Sequence, residues 1–270
     1  RLKQLGREAD ERSVTMGRDY DPARRYPLDF ELTEETTPFQ LRAFTYETDE
    51  SEVSGDLRVV YGREPLDLMV PMYQTFRVTR AVAPPLSYVV PVQWSEVIEV
   101  LKAHGLKTHT LAEPREIEVE SYRFQKVVWP AAPFEGRHMP RFEVERITER
   151  RVFHAGSLVV PVAQPLAKVV MNLLEPEAPD SFVRWGFFNA IFEEKEYGEA
   201  YVLEALAREM MANDPDLKRE FEELLASNAE FAASPSERLR FFHKRSPYWD
   251  PQMNLYPVGR IVSGLDLPFV

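Results

Sequence analysis

Cysteine is absent from this chain of 270 residues, and glycine is scarce, with only 11 residues. Without thiols the chain can form no disulfide, no thiolate nucleophile and no zinc site built on thiolates. The few glycines leave no dinucleotide-binding fingerprint, and the sequence contains neither a Gly-x-Ser-x-Gly nucleophile elbow nor a glycine-rich phosphate loop ahead of a lysine. Several common classes of enzyme are therefore excluded.

Basic residues are outnumbered by acidic ones, because 33 Lys and Arg stand against 44 Asp and Glu and give a net charge of −11. Binding to nucleic-acid phosphates requires clustered basic side chains, so we expect no nucleic-acid partner. The sequence also has no apolar run near the roughly 18 to 20 residues that a membrane-spanning helix needs, so we expect no membrane partner. The hydrophobic share of 44% is sufficient for a folded core.

The first residues read RLKQL, with no initiating Met and no apolar core like that of a signal peptide. We therefore expect the chain to be a fragment or a processed form. Its composition predicts three parts: the tail of a preceding helix or a linker at residues 1–20, a β-rich module at 21–83, and a mixed α/β region at 84–270 that ends in a helical section.

Alternating apolar and polar residues mark the β-rich module. Residues 28–32 and 39–46 alternate with period two, as half-buried strands do, and 57–61 and 66–72 continue the pattern. Ser54, Gly55 and Asp56 form a turn signal between them. We expect an antiparallel, sandwich-like module.

A short motif occurs twice in the middle of the chain, as SYVVPV at residues 87–92 and as SLVVPV at 157–162. Helical periodicity follows each copy. Gly105 suits the left-handed position after the first helix, and Pro165 suits the first turn of the second. Between the copies, residues 117–120 and 142–145 alternate as strands with one wet face. The pattern predicts two strand-Pro-helix units.

The composition becomes helical after Pro179. Helices are predicted to begin at Asp180 or Ser181, after Gly198, at Asp214 and at Ser234, because most of these residue types cap helices. The chain from residue 248 onward is interrupted by prolines and is expected to pack as an extended tail. Taken together, the patterns predict the α+β fold class.

Three segments carry a resemblance to a known family: EPEAPDSFVRWGFFN at residues 175–189, YWDP at 248–251 and LYPVGR at 255–260. They resemble the C-terminal region of large bacterial zinc metallocarboxypeptidase-like proteins of the carboxypeptidase A-like class. The resemblance implies a parent protein that is a zinc-dependent exopeptidase acting on peptide C-termini, either periplasmic or secreted. It also implies an upstream peptidase domain as the direct partner of this chain, which would meet peptide substrate only indirectly.

The zinc motif of that family is a His-x-x-Glu pair with a later His, because these ligands leave the fourth zinc position open for an activated water. None of the five histidines is followed three residues later by an acid. His109 and Glu113 are four apart, but Pro114 and the extended pattern around them argue against a helix presenting both. We expect no metal ligand and no catalytic residue in this chain, and we place zinc in the parent enzyme. The residues that follow the histidines at i+3 are Lys107, Ala112, Arg141, Ser157 and Ser246.

The remaining polar and aromatic candidates are mostly typical of structure. The strand-borne glutamates lie at positions that alternation assigns to solvent, and the spacing of Trp185, Phe188 and Phe192 is that of a core stripe. An exposed aromatic can stack on a ligand or on another domain. Tyr248, Trp249 and Asp250 fall in a loop flanked by prolines, so these three residues are the candidates for binding or for contact between domains. The strand-borne glutamates are Glu31, Glu47, Glu118 and Glu143.

Two functional hypotheses follow. The first is a non-catalytic accessory region that packs against the peptidase domain of a metallocarboxypeptidase-like protein. The second is an independent β-rich module that binds a peptide or a glycan. A flat apolar patch would favour the first, and a concave groove with convergent polar groups would favour the second.

Overall fold

The structure is a computed structural model that describes residues 1–195 and 198–270. The described residues contain both helices and mostly antiparallel strands, and the predicted α+β class is confirmed. The helices are Leu2–Met16 (α1), Ser95–Ala103 (α2), Ala167–Leu174 (α3), Ala200–Asn213 (α4), Pro215–Ser227 (α5), Ala229–Ala233 (α6) and Pro235–His243 (α7). The strands are Tyr26–Leu32 (β1), Thr36–Glu50 (β2), Leu57–Tyr73 (β3), Phe76–Val82 (β4), Ser87–Val90 (β5), His109–Thr110 (β6), Arg115–Val128 (β7), Arg141–Phe153 (β8), Leu158–Pro161 (β9) and Gly259–Ile261 (β10).

The two copies of the repeated motif pair with each other. Strands β5 and β9 are antiparallel neighbours, with Tyr88 opposite Val160 and Val89 opposite Val159. Each strand is followed by its predicted helix, α2 or α3, and Gly105 has the predicted left-handed backbone, with φ of 71°. The two strand-Pro-helix units are confirmed.

These strands lie within a six-stranded sheet of order β6-β9-β5-β10-β7-β8. Tyr88 and Val90 point into a core covered by α2 and α3, whereas Val89 joins a smaller apolar cluster on the other face. Because β5 is buried on both faces, its sequence is continuously apolar and does not alternate.

The predicted extended tail contains a strand that the sequence did not reveal, β10. This strand pairs with β5 through Gly259 to Ile261 and with β7 through Arg260 and Glu120. Three residues are too few for a periodicity to be recognised in a sequence. The strand nevertheless places Arg260 at the centre of the sheet.

The strands of the N-terminal part differ from the expected sandwich. Strands β1 and β4 pair only with each other, and so do β2 and β3, so the described residues hold two-stranded ribbons instead of two packed sheets. The base of this ribbon is anchored because Leu28 and Val82 are buried with Ala178. The alternation that suggested two facing sheets exists, but no second layer within the described chain covers the apolar side.

The C-terminal section is helical, as predicted, and α4 to α7 share a cluster centred on Phe221, Phe241 and Phe242. Asp214 caps α5 by accepting the backbone N–H groups of residues 216 and 217, and Ser234 caps α7. The helix predicted from Asp180 is wrong, because residues 182–188 form turns that lead into a short 3-10 helix, Asn189–Phe192. Gly186 there adopts a φ of 74°, which does not continue an α-helix.

Candidate functional site

The three residues singled out in the sequence lie in the turn after α7. Tyr248 is 69% exposed. Trp249 is partly buried, with its ring 5.4 Å from the ring of His243 and perpendicular to it. Asp250 accepts the backbone N–H of Gln252 at 2.8 Å and lines a cavity. Of the three, the structure thus brings only Asp250 to a concave surface, and their role in binding stays a prediction.

This cavity has a volume of about 570 Å³, within the range typical of ligand pockets. It lies between the segment before α2, the β7–β8 hairpin, the end of the 3-10 helix and the loop at residues 250–257. Its lining is apolar in part, with Trp94 and Ile191 among the apolar members. The charged side chains and the histidine of the lining are Arg123, Glu149, Arg151, His154, Glu193, Lys195 and Asp250.

Two arginines on the hairpin hold the loop that forms one wall. Arg123 donates from Nη1 to the carbonyl of Met253 at 3.1 Å, and Arg151 donates from Nη1 to the carbonyl of Pro257 at 2.6 Å. Arg151 also pairs with Glu149. Because these guanidinium groups bind backbone carbonyls of the wall, their first role is to preform the cavity.

Backbone contacts fix the same loop at Asn254. Its carbonyl accepts the N–H of Phe124 at 2.8 Å, and its own N–H donates to the carbonyl of Ile191 at 2.9 Å. Asn254 also adopts a left-handed φ of 60°, which is uncommon for a residue other than glycine. Such a conformation persists only where the surrounding structure over-determines it. The backbone of the cavity wall is therefore held at Asn254 by hydrogen bonds on both of its sides.

The chemistry that this cavity offers is recognition of polar groups. Its charged lining is balanced in sign, and it holds no serine or threonine beside a base. Across the described ranges 1–195 and 198–270, no three His, Asp or Glu side chains converge as metal ligands. His109 lies in the short strand β6, stacked on Phe269, while Glu113 pairs with Arg115. We therefore derive no catalytic step from these residues.

Sequence reasoning missed a buried polar network at the centre of the sheet. Arg260 and Glu175 are 0% and 1% exposed, and Nε of Arg260 donates to Glu175 at 2.9 Å. The hydroxyl groups of Tyr88 and Tyr122 donate to the two oxygens of the same carboxylate, at 2.5 and 2.6 Å. Arg260 also pairs with Glu120. The sequence did contain a signal of buried charge, because Glu175 and Arg260 are charged residues at the edges of apolar segments.

Burial sets the protonation of this network. Desolvation, reinforced by the charge of Glu175, raises the pKa of Tyr88 and of Tyr122 well above the usual value for tyrosine. For Arg260, burial alone would lower the pKa, but the carboxylate of Glu175 and its other neighbours outweigh that effect and raise it. The hydroxyls therefore remain neutral donors, and the arginine remains charged. The arrangement is typical of a structural core, because no free reactive group faces solvent.

An exposed apolar surface lies along the β2–β3 ribbon. The register places Phe39 opposite Val70 and Leu41 opposite Leu68, so these side chains share one side. Phe39 and Leu41 are 43% and 41% exposed. We call this side the apolar ribbon face. Its members are Thr37, Phe39, Leu41, Ala43, Leu66, Leu68, Val70 and Met72.

Comparison with known proteins finds similarity over part of the chain. The chain is 28% identical over 102 residues to Carboxypeptidase 2 of Trichophyton tonsurans and, equally, to Carboxypeptidase 2 of Trichophyton equinum. The matched segment is 38% of this chain and 19% of each relative, so the chain spans about a fifth of the length of these curated relatives. The sequence matches no protein-family model. No solved structure is significantly similar to it.

The similarity indicates a carboxypeptidase-like relationship for about two fifths of the chain. This relationship agrees with the resemblance drawn from the sequence motifs at the level of a peptidase-related protein. No helix in the described part of the chain is long and apolar enough to cross a membrane.

Proposed function

We propose that this chain is a non-catalytic accessory region of a zinc metallocarboxypeptidase-like protein and that it packs against the peptidase domain of that protein. The observation that carries the proposal is the similarity to Carboxypeptidase 2, which extends over only about a fifth of that protein's length. The charge-balanced cavity and the buried Glu175–Arg260 pair are consistent with a region that supports or positions a neighbouring domain. Export to the periplasm or secretion, as the family resemblance implies, forms part of the same proposal.

In this proposal the zinc ion and the catalytic groups belong to the peptidase domain. His109 and Glu113 do not fit a zinc site in this structure, because His109 stacks on Phe269 and the carboxylate of Glu113 pairs with Arg115. The contribution of this region would be to hold the peptidase domain and to limit access to its cleft.

The test compares the intact natural gene product with the 270-residue chain, both supplied with zinc and assayed on hippuryl-type substrates. We expect chelator-sensitive release of the C-terminal residue by the intact protein and none by the chain alone. A His-x-x-Glu motif upstream of Arg1 is expected in the gene. Robust, chelator-sensitive turnover by the chain alone would contradict the proposal, and so would a gene product without any peptidase domain.

A second candidate is an independent module that binds a peptide or a glycan, and the cavity of about 570 Å³ favours it. Binding would be measured by calorimetry with short peptides and with oligosaccharides. For this candidate, Lys195→Glu in the cavity lining should weaken binding, whereas Lys218→Glu on the exposed surface of α5 should not. Absence of heat with both ligand classes, or equal effects of the two variants, would rule out the cavity as the site.

A further inference from the structure

The apolar ribbon face lacks a covering layer among the described residues. No third strand joins β2 and β3 among the described residues, and the aliphatic and aromatic members of the face stand in consecutive cross-strand pairs. A two-stranded ribbon on its own is at best marginally stable in water and needs a further strand or a packing partner to be stable. Something is therefore expected to cover this face.

We propose that the apolar ribbon face is the surface on which the peptidase domain docks, through an apolar strip that has basic side chains beyond one end. This inference rests on the proposed function and adds the docking surface and the chemistry of its partner. The opposite side of the same ribbon segment is more polar, because Gln40, Arg42 and Asp67 lie on it. The ribbon thus presents one side to a partner and the other to solvent.

The size of the face argues for a tethered partner rather than for a second copy of the chain. Four cross-strand pairs over six residue steps span about 20 Å, and two strands are about 10 Å wide, which gives a footprint of about 200 Å². Specific complexes between free proteins bury about 800 Å² per partner. A domain on the same polypeptide needs much less contact area, because the linkage supplies an effective concentration in the millimolar range.

Charge also disfavours a symmetric pair of ribbons. The segment from residue 36 to 73 carries seven carboxylates against three arginines, a net charge of −4. A two-fold axis at the middle of the apolar ribbon face, between Phe39 and Leu41, would bring Glu47 of one copy toward Glu34 and Glu35 of the other. A two-fold axis along the ribbon would instead bring the two acidic tips together. Like charges repel in both arrangements.

The same carboxylates define the chemistry of the partner. Asp49 at the tip is neutralised by Arg58, at 2.6 Å, whereas Glu47, Glu50 and Glu52 have no ion-pair partner within the residues that the structure describes. A docking surface with lysines or arginines beyond one end of an apolar strip, next to the hairpin tip, would satisfy them. Such complementary charges orient two surfaces and reject wrong registers.

Two methionines of β3 provide an internal test. Met72 lies on the apolar ribbon face and is 38% exposed, while Met69 lies on the opposite side and is 67% exposed. Peroxide converts an accessible methionine to its sulfoxide, and mass spectrometry gives the rate at each site. In the intact gene product we expect Met72 to react at least tenfold more slowly than in the 270-residue chain. Met69 should react at the same rate in both.

Matched variants separate docking from folding. Leu41→Ser removes an apolar side chain from the face, and Gln40→Ser changes its neighbour on the opposite side. In the intact protein, Leu41→Ser should restore fast oxidation of Met72, and Gln40→Ser should leave it slow. Far-UV circular dichroism of each variant should match that of the unchanged protein, because both positions are exposed.

Each remaining outcome has a defined meaning. Equal oxidation rates of Met72 in the intact protein and in the isolated chain overturn the proposal that the ribbon is the docking surface. The proposed accessory function stands in that case if the intact protein is an active peptidase. Protection of Met72 in the isolated chain that increases with concentration identifies a second copy as the occupant and also overturns the inference. An intact gene product without a peptidase domain refutes the proposed function and the docking surface together.

Discussion

The buried carboxylate of Glu175 offers the sharpest test of how this fold is held together. Replacing it in Glu175→Gln keeps the shape of the side chain and removes its charge. Arg260, which is 0% exposed, then keeps only Glu120 as an ionic partner. Tyr88 and Tyr122 donate to the two oxygens of the carboxylate of Glu175, and the amide of Gln offers only one acceptor oxygen, so one of the two hydroxyl groups loses its acceptor and faces an NH2 donor.

The magnitude follows from burial. Removal of one partner from a buried ion pair typically costs about 3–5 kcal/mol, because the other charge is left buried without compensation. Glu120 still neutralises part of the charge of Arg260, and its side chain is only 16% exposed. We therefore expect a loss near the lower end of that range, about 3 kcal/mol in the free energy of unfolding, which is roughly a hundredfold change in the folding equilibrium.

The assay is urea unfolding at pH 7, followed by tryptophan fluorescence, since Trp94 packs on Phe188 in the main core. The matched control is Asp49→Asn, which breaks the ion pair with Arg58. Both side chains of that pair are about half exposed, so we expect no measurable change in the free energy of unfolding. The double variant Glu175→Leu with Arg260→Met should lose less than the sum of its two single variants. A loss below about 1 kcal/mol for Glu175→Gln would refute the reasoning, because it would show that water or relaxation compensates the buried charge.

Three further predictions concern other parts of the chain. Burial raises the pKa of Tyr122, so above pH 10 the folded protein keeps this hydroxyl protonated while the unfolded chain ionises it. The contribution of Tyr122 to the free energy of unfolding is therefore intact below about pH 10 and falls as the pH rises further. Tyr122→Phe should reduce that fall by about 1.4 kcal/mol per pH unit, measured by urea unfolding between pH 10 and 11.5, and an unchanged slope would contradict the assignment. Gly17→Ala should destabilise the protein, because its Cβ would lie 2.3 Å from the backbone nitrogen of Ala163. Gly6→Ala in helix α1 meets no atom within 4 Å and should stabilise the helix by up to about 1 kcal/mol. Equal shifts of the thermal unfolding midpoint for the two variants would refute this contrast. Asp214→Ala should cost about 1 kcal/mol in thermal or urea unfolding, since it removes the cap of α5, and a change of less than a few tenths would show that water replaces the cap.

Local sequence patterns predicted the parts of this fold that depend on neighbouring residues. The alternation of residues 39–46 gives a strand, the caps at Asp214 and Ser234 start helices, and Gly105 ends one with a left-handed backbone. Each of these preferences acts over a few residues, so a single sequence contains the whole signal. The carboxypeptidase resemblance also arose from short local motifs, and comparison supports it at the level of a peptidase-related protein.

The candidate surfaces required the tertiary structure. Alternation shows that a strand has an apolar side but not whether a second sheet covers it, which is why the expected sandwich is a two-stranded ribbon. The cavity depends on hydrogen bonds between Arg123 or Arg151 and carbonyls more than a hundred residues away in the chain. No local preference encodes such a contact.

The sequence by itself indicated most of the helices and the longer strands, because backbone preference and hydrophobic period are local properties; it missed the turns at residues 182–188 and strand β10. Only the tertiary structure decided which charges are buried and which apolar side is left open. Glu175 and Arg260 are 85 residues apart, and only the assembled core brings them together and buries both, where each charge compensates the other.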